Sequence, residues 1–178
     1  MQENRDMAGL SRGFPPVVGP APRVLVLGSL PGRASLEANQ YYAQPRNAFW
    51  PIMGALCGAS PALDYSARLA ALVDAGVALW DVLLEATRPG SLDSSIVTAS
   101  QRINDIASLI ACHETIGLVA FNGLKAAGIF RRHIEPGLSR GNLATAALPS
   151  TSPAYASLTR EDKLERWRRA LAPYLRAC

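Results

Sequence analysis

Six side chains suited to handling a small polar heterocycle, Ser29, Tyr42, Asn47, Asp81, Asn122 and Ser150, fall in or at the start of segments that follow short apolar runs. Two of them are asparagines. An amide is too weak a base to deprotonate a nucleophile outright, but it can orient a water and hold partial charge. Such groups suit a bond that breaks early from a cation-like centre. Hydrolysis of an N-glycosidic bond is of that kind: the sugar becomes oxocarbenium-like, the base leaves with the electron pair, and a positioned water completes the reaction. Taken singly, each asparagine reads equally well as a turn former or a helix cap.

Other chemistries find little support. Cys57, Cys112 and Cys178 are isolated and nowhere spaced Cys-x-x-Cys, and the histidines are His113 and His133 alone, so neither a metal site nor a disulfide framework is expected. There is no Walker lysine motif, and no cofactor is expected. The 178 residues are 49% hydrophobic and 18% charged, which suits a compact fold with its own core. Net charge is +4, and only Lys125 and Lys163 among the 18 basic residues are lysines. A positive balance made of guanidinium, the group best matched to phosphate, permits a nucleic-acid partner. No apolar run approaches ~20 residues, and the segment Met1 to Pro22 lacks a signal-peptide core, so a cytoplasmic protein without a membrane span is expected.

The elements that must position these residues alternate. Val24-Leu25-Val26-Leu27 reads as a strand buried on both faces. Gly28-Ser29-Leu30-Pro31-Gly32 breaks it, and about 18 residues follow before a helix opens near Asn47 with Phe49, Ile52, Met53 and Leu56 on its inner face. Asp64 is placed to cap a second helix that stops at Gly76, and Val77 to Trp80 forms a second strand ending at Asp81. The polar stretch Thr87 to Ser100 reads as an exposed loop, and Arg102 to Ala111 as a helix. A third strand, Ile116 to Phe121, stops at Asn122-Gly123, a short helix runs to His133, and a fourth strand, Leu143 to Leu148, ends in Leu-Pro-Ser-Thr-Ser-Pro-Ala. Thr159 and Asp162 form a capping-box pattern for a last helix whose outer face carries Arg160, Lys163, Arg166 and Arg169.

This alternation predicts an α/β fold, a three-layer α/β/α sandwich around a four-stranded parallel sheet. Residues 1–22 are expected to form an N-terminal tail or strap, and 23–178 a single domain. In a parallel sheet all strand ends share one edge, so the six residues converge there, where open sheets hold ligands.

The first loop, with Tyr-Tyr-Ala-Gln-Pro-Arg-Asn-Ala-Phe-Trp after Gly-Ser-Leu-Pro-Gly, together with Phe-Asn-Gly-Leu-Lys-Ala and Leu-Pro-Ser-Thr-Ser-Pro-Ala, resembles the uracil-DNA glycosylase superfamily, specifically its hypoxanthine-DNA (deoxyinosine) glycosylase branch. The likeness spans about residues 23 to 175. It implies the superfamily's four-stranded parallel sheet and a substrate that is a deaminated base flipped out of double-stranded DNA. With no lysine obviously placed for Schiff-base attack on the sugar, an abasic site without strand cleavage is expected.

By this resemblance Asn47 and Asn122 are the catalytic pair, and Gly28, Ser29, Leu30 and Tyr42 line the base pocket, Tyr42 as the stacking ring with Tyr41 packed beneath the loop. Arg46 and the run Ser150, Thr151, Ser152 and Pro153 meet the DNA, where hydroxyls and backbone N–H groups suit phosphates. Leu30 stands where mismatch-specific relatives carry a catalytic asparagine, and Asn47 compensates for it. Gln44 and Leu148 stand where relatives carry histidines, which implies a slower enzyme or one relying on backbone donors such as the Ser29 amide. Asp81 sits where uracil-specific relatives place the side chain that reads the base edge, and a carboxylate there can accept from N1–H of hypoxanthine, a donor adenine lacks. Alternatives are a uracil or mismatch-specific uracil glycosylase on the same fold, a catalytically silent DNA or nucleotide binder, and a hydrolase of free nucleosides. A monomer is expected.

Overall fold

The structure is a computed structural model that describes residues 9–139, 141 and 143–176; the first eight residues of the expected tail, and Cys178, lie outside the described residues. Four parallel strands form the central sheet: β2 (Val24–Gly28), β3 (Val77–Asp81), β6 (Leu118–Asn122) and β7 (Ala144–Leu148), in the spatial order β3-β2-β6-β7. β2 lies at the centre, paired in register Val24 to Val77 on one side and Val24 to Leu118 on the other. The chain leaves β2 toward β3 and later returns on the opposite side through β6. Ligand crevices form at such a reversal of strand order.

Period-two alternation along β2 divides the core. Val24 and Val26 face one layer, with Phe49, Ile52 and Met53 of α2 (Phe49–Cys57), Leu72 of α3 (Tyr65–Asp74) and Trp167 and Leu171 of α6 (Arg160–Leu171). Leu25 and Leu27 face the other, with Ile106 and Ile110 of α4 (Ile106–Cys112) and Ala126, Ala127 and Phe130 of α5 (Leu124–His133). The three-layer α/β/α arrangement and the parallel sheet are those expected from the alternation. Asp64 caps α3 by accepting from the Ala67 N–H at 2.8 Å, and Thr159 and Asp162 close the capping box of α6.

Four local expectations are corrected. The first loop contains a short helix, α1 (Arg33–Ala38), whose six residues carry too little apolar periodicity to signal it. In a stretch for which the sequence gives no expectation, β4 (Leu83–Thr87) pairs antiparallel with β1 (Leu10–Arg12) and with β5 (Arg102–Ile103), making a second, three-stranded sheet. The helix expected from Arg102 therefore begins only at Ile106, capped by Asp105, whose carboxylate accepts from the Ser108 N–H at 3.1 Å. Thr87 to Ser100 is exposed only in part, since Arg88 and Ile96 are buried. Lastly, Lys163 does not share the solvated face of α6 with Arg160, Arg166 and Arg169; it is 5% exposed and turned inward.

The segment between β1 and β2 is a strap. Val17 exchanges two 2.8 Å backbone hydrogen bonds with Leu79, covering the outer edge of β3, and the Phe14 carbonyl accepts from Trp80 Nε1 at 3.0 Å. The middle of this edge strand is thereby paired and withheld from another chain.

Candidate active site

The C-terminal edge of the sheet gathers the loops after β2, β3, β6 and β7. At its centre is Gly28, the last residue of β2, paired with Asp81, the last residue of β3. A Cβ on Gly28 would lie 2.4 Å from Asp81 Oδ1 and 3.0 Å from the Tyr42 hydroxyl, so only glycine lets the three approach. Tyr42 Oη and Asp81 Oδ2 are both buried without a hydrogen-bond partner. Unpartnered buried polar atoms are rare in native proteins and mark places where a further group is received.

The electrostatics follow from burial. Asp81 is pushed up to about 7, first by desolvation and then by the charge of Asp93, with Arg88 working against both. The Tyr42 hydroxyl is pushed well above its usual range by burial and by Asp81, and the Asn122 side chain opposes this. Tyr42 holds a left-handed backbone conformation, φ 54°, which presses its ring against Phe49 at a centroid distance of 4.0 Å and an interplanar angle of 23°. Tyr41 is buried beneath the loop as expected: its hydroxyl donates to the Pro15 carbonyl at 3.1 Å and its carbonyl accepts from Trp50 Nε1 at 3.0 Å.

The Gly-Ser-Leu-Pro-Gly loop is held from below by a segment that sequence reasoning took for an exposed loop. The buried Arg88 guanidinium donates to the Leu30 carbonyl at 3.1 Å and to the Pro31 carbonyl, while Ser29 Oγ donates to Asp93 Oδ1 at 2.6 Å. The Leu30 side chain packs in the core under the loop, so it shapes the loop and offers no polar contact. Neither Arg88 nor Asp93 was singled out from the sequence. The only signal was the dense Thr-Arg-Pro-Gly-Ser-Leu-Asp turn chemistry, which says nothing of which way a side chain points.

The two asparagines lie on opposite sides of Thr151. Asn122 donates through Nδ2 to Thr151 Oγ1 at 2.8 Å and accepts through Oδ1 from the Thr151 N–H at 2.8 Å. The Thr151 carbonyl accepts from the Ala48 N–H at 2.9 Å, next to Asn47. Asn47 Oδ1 accepts from the Phe49 N–H at 3.0 Å, a turn that leads into α2 just before its N-cap residue Ala48. A carbonyl oxygen has a second lone pair, which leaves room for a water proton. Arg46 is exposed beside it, its N–H bonded to Gln44 Oε1. Ser150, Ser152 and Pro153 are half-buried, whereas Thr151 is sealed at 1% exposure and braces the loop from beneath. Gly123, at φ 99°, lets the β6 turn pass close to Ser150, where a Cβ would stand 3.2 Å from the Ser150 Cβ. Among the described residues no cluster of His, Cys, Asp or Glu could hold a metal, and no helix is long and apolar enough to cross a membrane.

This edge, with a glycine between a carboxyl and a stacked tyrosine and two asparagines joined through a hydroxyl loop, lies in a stretch matched by a family. The sequence model of the Uracil DNA glycosylase superfamily matches residues 15–176. The chain belongs to the uracil DNA glycosylase superfamily. Its relatives include a protein named hypoxanthine DNA glycosylase from Methanosarcina acetivorans, 34% identical over 157 residues that cover 88% of this chain and 95% of that one. A protein of the same name from Methanosarcina barkeri is 36% identical over 144 residues, covering 80% and 87%. A solution NMR structure of a candidate uracil DNA glycosylase from M. acetivorans superposes with a TM-score of 0.71 at 34% identity, covering 88% of this chain and 94% of that one.

Proposed function

We propose that the chain is a monofunctional DNA glycosylase that hydrolyses the N-glycosidic bond of deoxyinosine in double-stranded DNA, releasing hypoxanthine and leaving an abasic site. The observation that carries this is the buried, unpartnered Asp81 Oδ2 beside Gly28 and the Tyr42 hydroxyl. A flipped hypoxanthine entering over the Gly28 backbone presents N1–H, a donor that a carboxylate accepts. Adenine has only an acceptor at that position, which would leave Asp81 unsatisfied, and buried mismatches of this kind discriminate strongly.

Tyr42, backed by Phe49, supplies the stacking face, a contact worth ~1–3 kcal/mol per base. Asn47 orients the water that attacks C1′ as the C1′–N9 bond breaks and the electron pair leaves with the base. Asn122 supports the transition state through Thr151, holding the last loop against Asn47. Gly28, Ser29 and Leu30 form the floor, with the Ser29 amide as a donor toward the departing base. Arg46 and the Ser150 to Pro153 loop meet the phosphates. Flipping costs a few kcal/mol, least for a poorly paired lesion, which adds selectivity. The enzyme acts as a monomer, without a metal or other cofactor. Residues 9–22 serve as a strap along the edge of one glycosylase domain.

The test is single-turnover excision by wild type and Asn47→Ala on labelled duplexes carrying one deoxyinosine or one deoxyuridine opposite each normal base. Hypoxanthine release that is lost in the variant is the expected result. Uracil release instead would keep the superfamily and overturn the substrate, because N3–H of uracil can also donate to Asp81. No release from either lesion would point to a DNA binder.

A further inference from the structure

The last loop is fastened to α6 by its carbonyl oxygens. Trp167 Nε1 donates to the Pro149 carbonyl at 3.0 Å. One helical turn earlier, Lys163 Nζ donates to the Tyr155 carbonyl at 2.7 Å and to the Ser152 carbonyl at 3.3 Å, and stands 5.3 Å from the Tyr155 ring centroid. Residues four apart on a helix share a face, so the two donors act as a pair. Thr151 sends its carbonyl to the Ala48 N–H, so four carbonyls of this loop are drawn into the protein. Lys163 is 5% exposed, and no carboxylate among the described residues pairs with it. A cation so placed is compensated by oriented carbonyl dipoles, and burial lowers its ammonium from the usual lysine range.

We infer that Lys163 is a positioning residue for duplex binding, an ammonium that pulls the Ser152 and Tyr155 carbonyls inward so that the loop turns its hydroxyls and exposed rim toward phosphates. The physical reason is electrostatic. A carbonyl oxygen left on the outer face would repel a phosphate, whereas one tied to a buried cation leaves the serine hydroxyls, which accept from loop N–H groups and keep their O–H donors, to face it. The inference rests on the glycosylase reading, in which this loop meets DNA.

The experiment uses the full chain as wild type, Lys163→Met, which keeps the apolar stem, and Lys163→Gln, which keeps two N–H donors without the charge. Two readings are taken without any excision: hydrogen exchange at the Ser152, Ala154 and Tyr155 amides, and affinity for an undamaged duplex across a salt series. Lys163→Met is expected to speed exchange at those amides and to weaken binding about tenfold each, with Lys163→Gln between it and wild type. The slope of log affinity against log salt stays that of wild type, because Lys163 touches no phosphate. Unchanged exchange overturns the clamp. A slope smaller by roughly one unit overturns it too, since it would make Lys163 a direct phosphate contact. Should Lys163→Met not fold, Lys163→Gln carries the same two readings. Absence of excision by wild type would bear on the glycosylase reading alone.

Discussion

The side-chain amide of Asn122 is held at both ends by one residue, Thr151, through two bonds of 2.8 Å, to its hydroxyl and from its backbone N–H. This fork joins the end of β6 to the last loop and, through the Thr151 carbonyl and Ala48, to the residue beside Asn47. Thr151→Val leaves the buried Nδ2 without an acceptor and is expected to cost about 1–3 kcal/mol of stability. Asn122→Ala orphans both Thr151 groups and should cost as much or more. If the fork acts as a unit, the double variant will be less impaired in excision than the two single losses added together. A double-mutant cycle on single-turnover rates measures this coupling, and additivity would show that the two residues act separately.

Asn47 combines a backbone contact ahead of α2 with the proposed water-orienting role, and both run through Oδ1. Asn47→Asp keeps an acceptor for the Phe49 N–H, so its thermal midpoint should stay close to wild type. Its excision rate should be kept as well, since the carboxylate still accepts a proton of the attacking water. Asn47→Ala should lose both the hydrogen bond to Phe49, ~1 kcal/mol, and the rate. Retained activity in Asn47→Ala would reduce this residue to the turn that leads into α2.

Asp81 gives a pH signature. Its carboxyl titrates near 3.8 when unfolded and at about 7 in the fold. Between those values the folded state binds more protons than the unfolded one, so this group makes stability fall as pH rises through the window. Asp81→Asn stays neutral, loses that dependence and should be more stable than wild type above pH 7, by up to about 4 kcal/mol from roughly three pK units. The ionised form is the one that accepts from N1–H, so hypoxanthine excision by wild type should rise as pH passes about 7. Single-turnover profiles of both proteins check this, and a rising profile that persists in Asp81→Asn would assign the titration elsewhere.

Arg88 ties the chemistry of the first loop to that same profile. Arg88→Met leaves the Leu30 and Pro31 carbonyls unpaired and removes the charge that offsets Asp93 beside Asp81. A loss of about 2–4 kcal/mol in denaturant unfolding is expected, together with a shift of the pH–rate midpoint to higher pH. An unmoved midpoint in a folded Arg88→Met protein would show that Arg88 serves the loop's shape alone.

The buried strand runs are unbroken apolar stretches and the caps are local side-chain chemistry, so Val24 to Leu27, Val77 to Asp81, the Asp64 cap and the Thr159 capping box were all legible from the chain. Their alternation fixed the parallel sheet, and the sheet fixed that Gly28, Asp81 and Asn122 end at one edge. Composition and spacing thus determined the architecture and which strand ends meet. What only the tertiary structure decided is what each of them touches. Arg88 and Lys163 are charged residues in segments that look solvated, and they are buried because the acceptors they reach are carbonyls of loops far along the chain, at Leu30 and Pro31 and at Ser152 and Tyr155. Backbone carbonyls carry no sequence signature. The pairing of Thr151 with Asn122, 29 positions apart, and of Ser29 with Asp93, 64 apart, is likewise decided by how closely two loops approach once the sheet has formed. A hydrophobic period can be read from one strand, but a buried polar contact depends on the direction of two side chains, and that direction exists only in the folded chain.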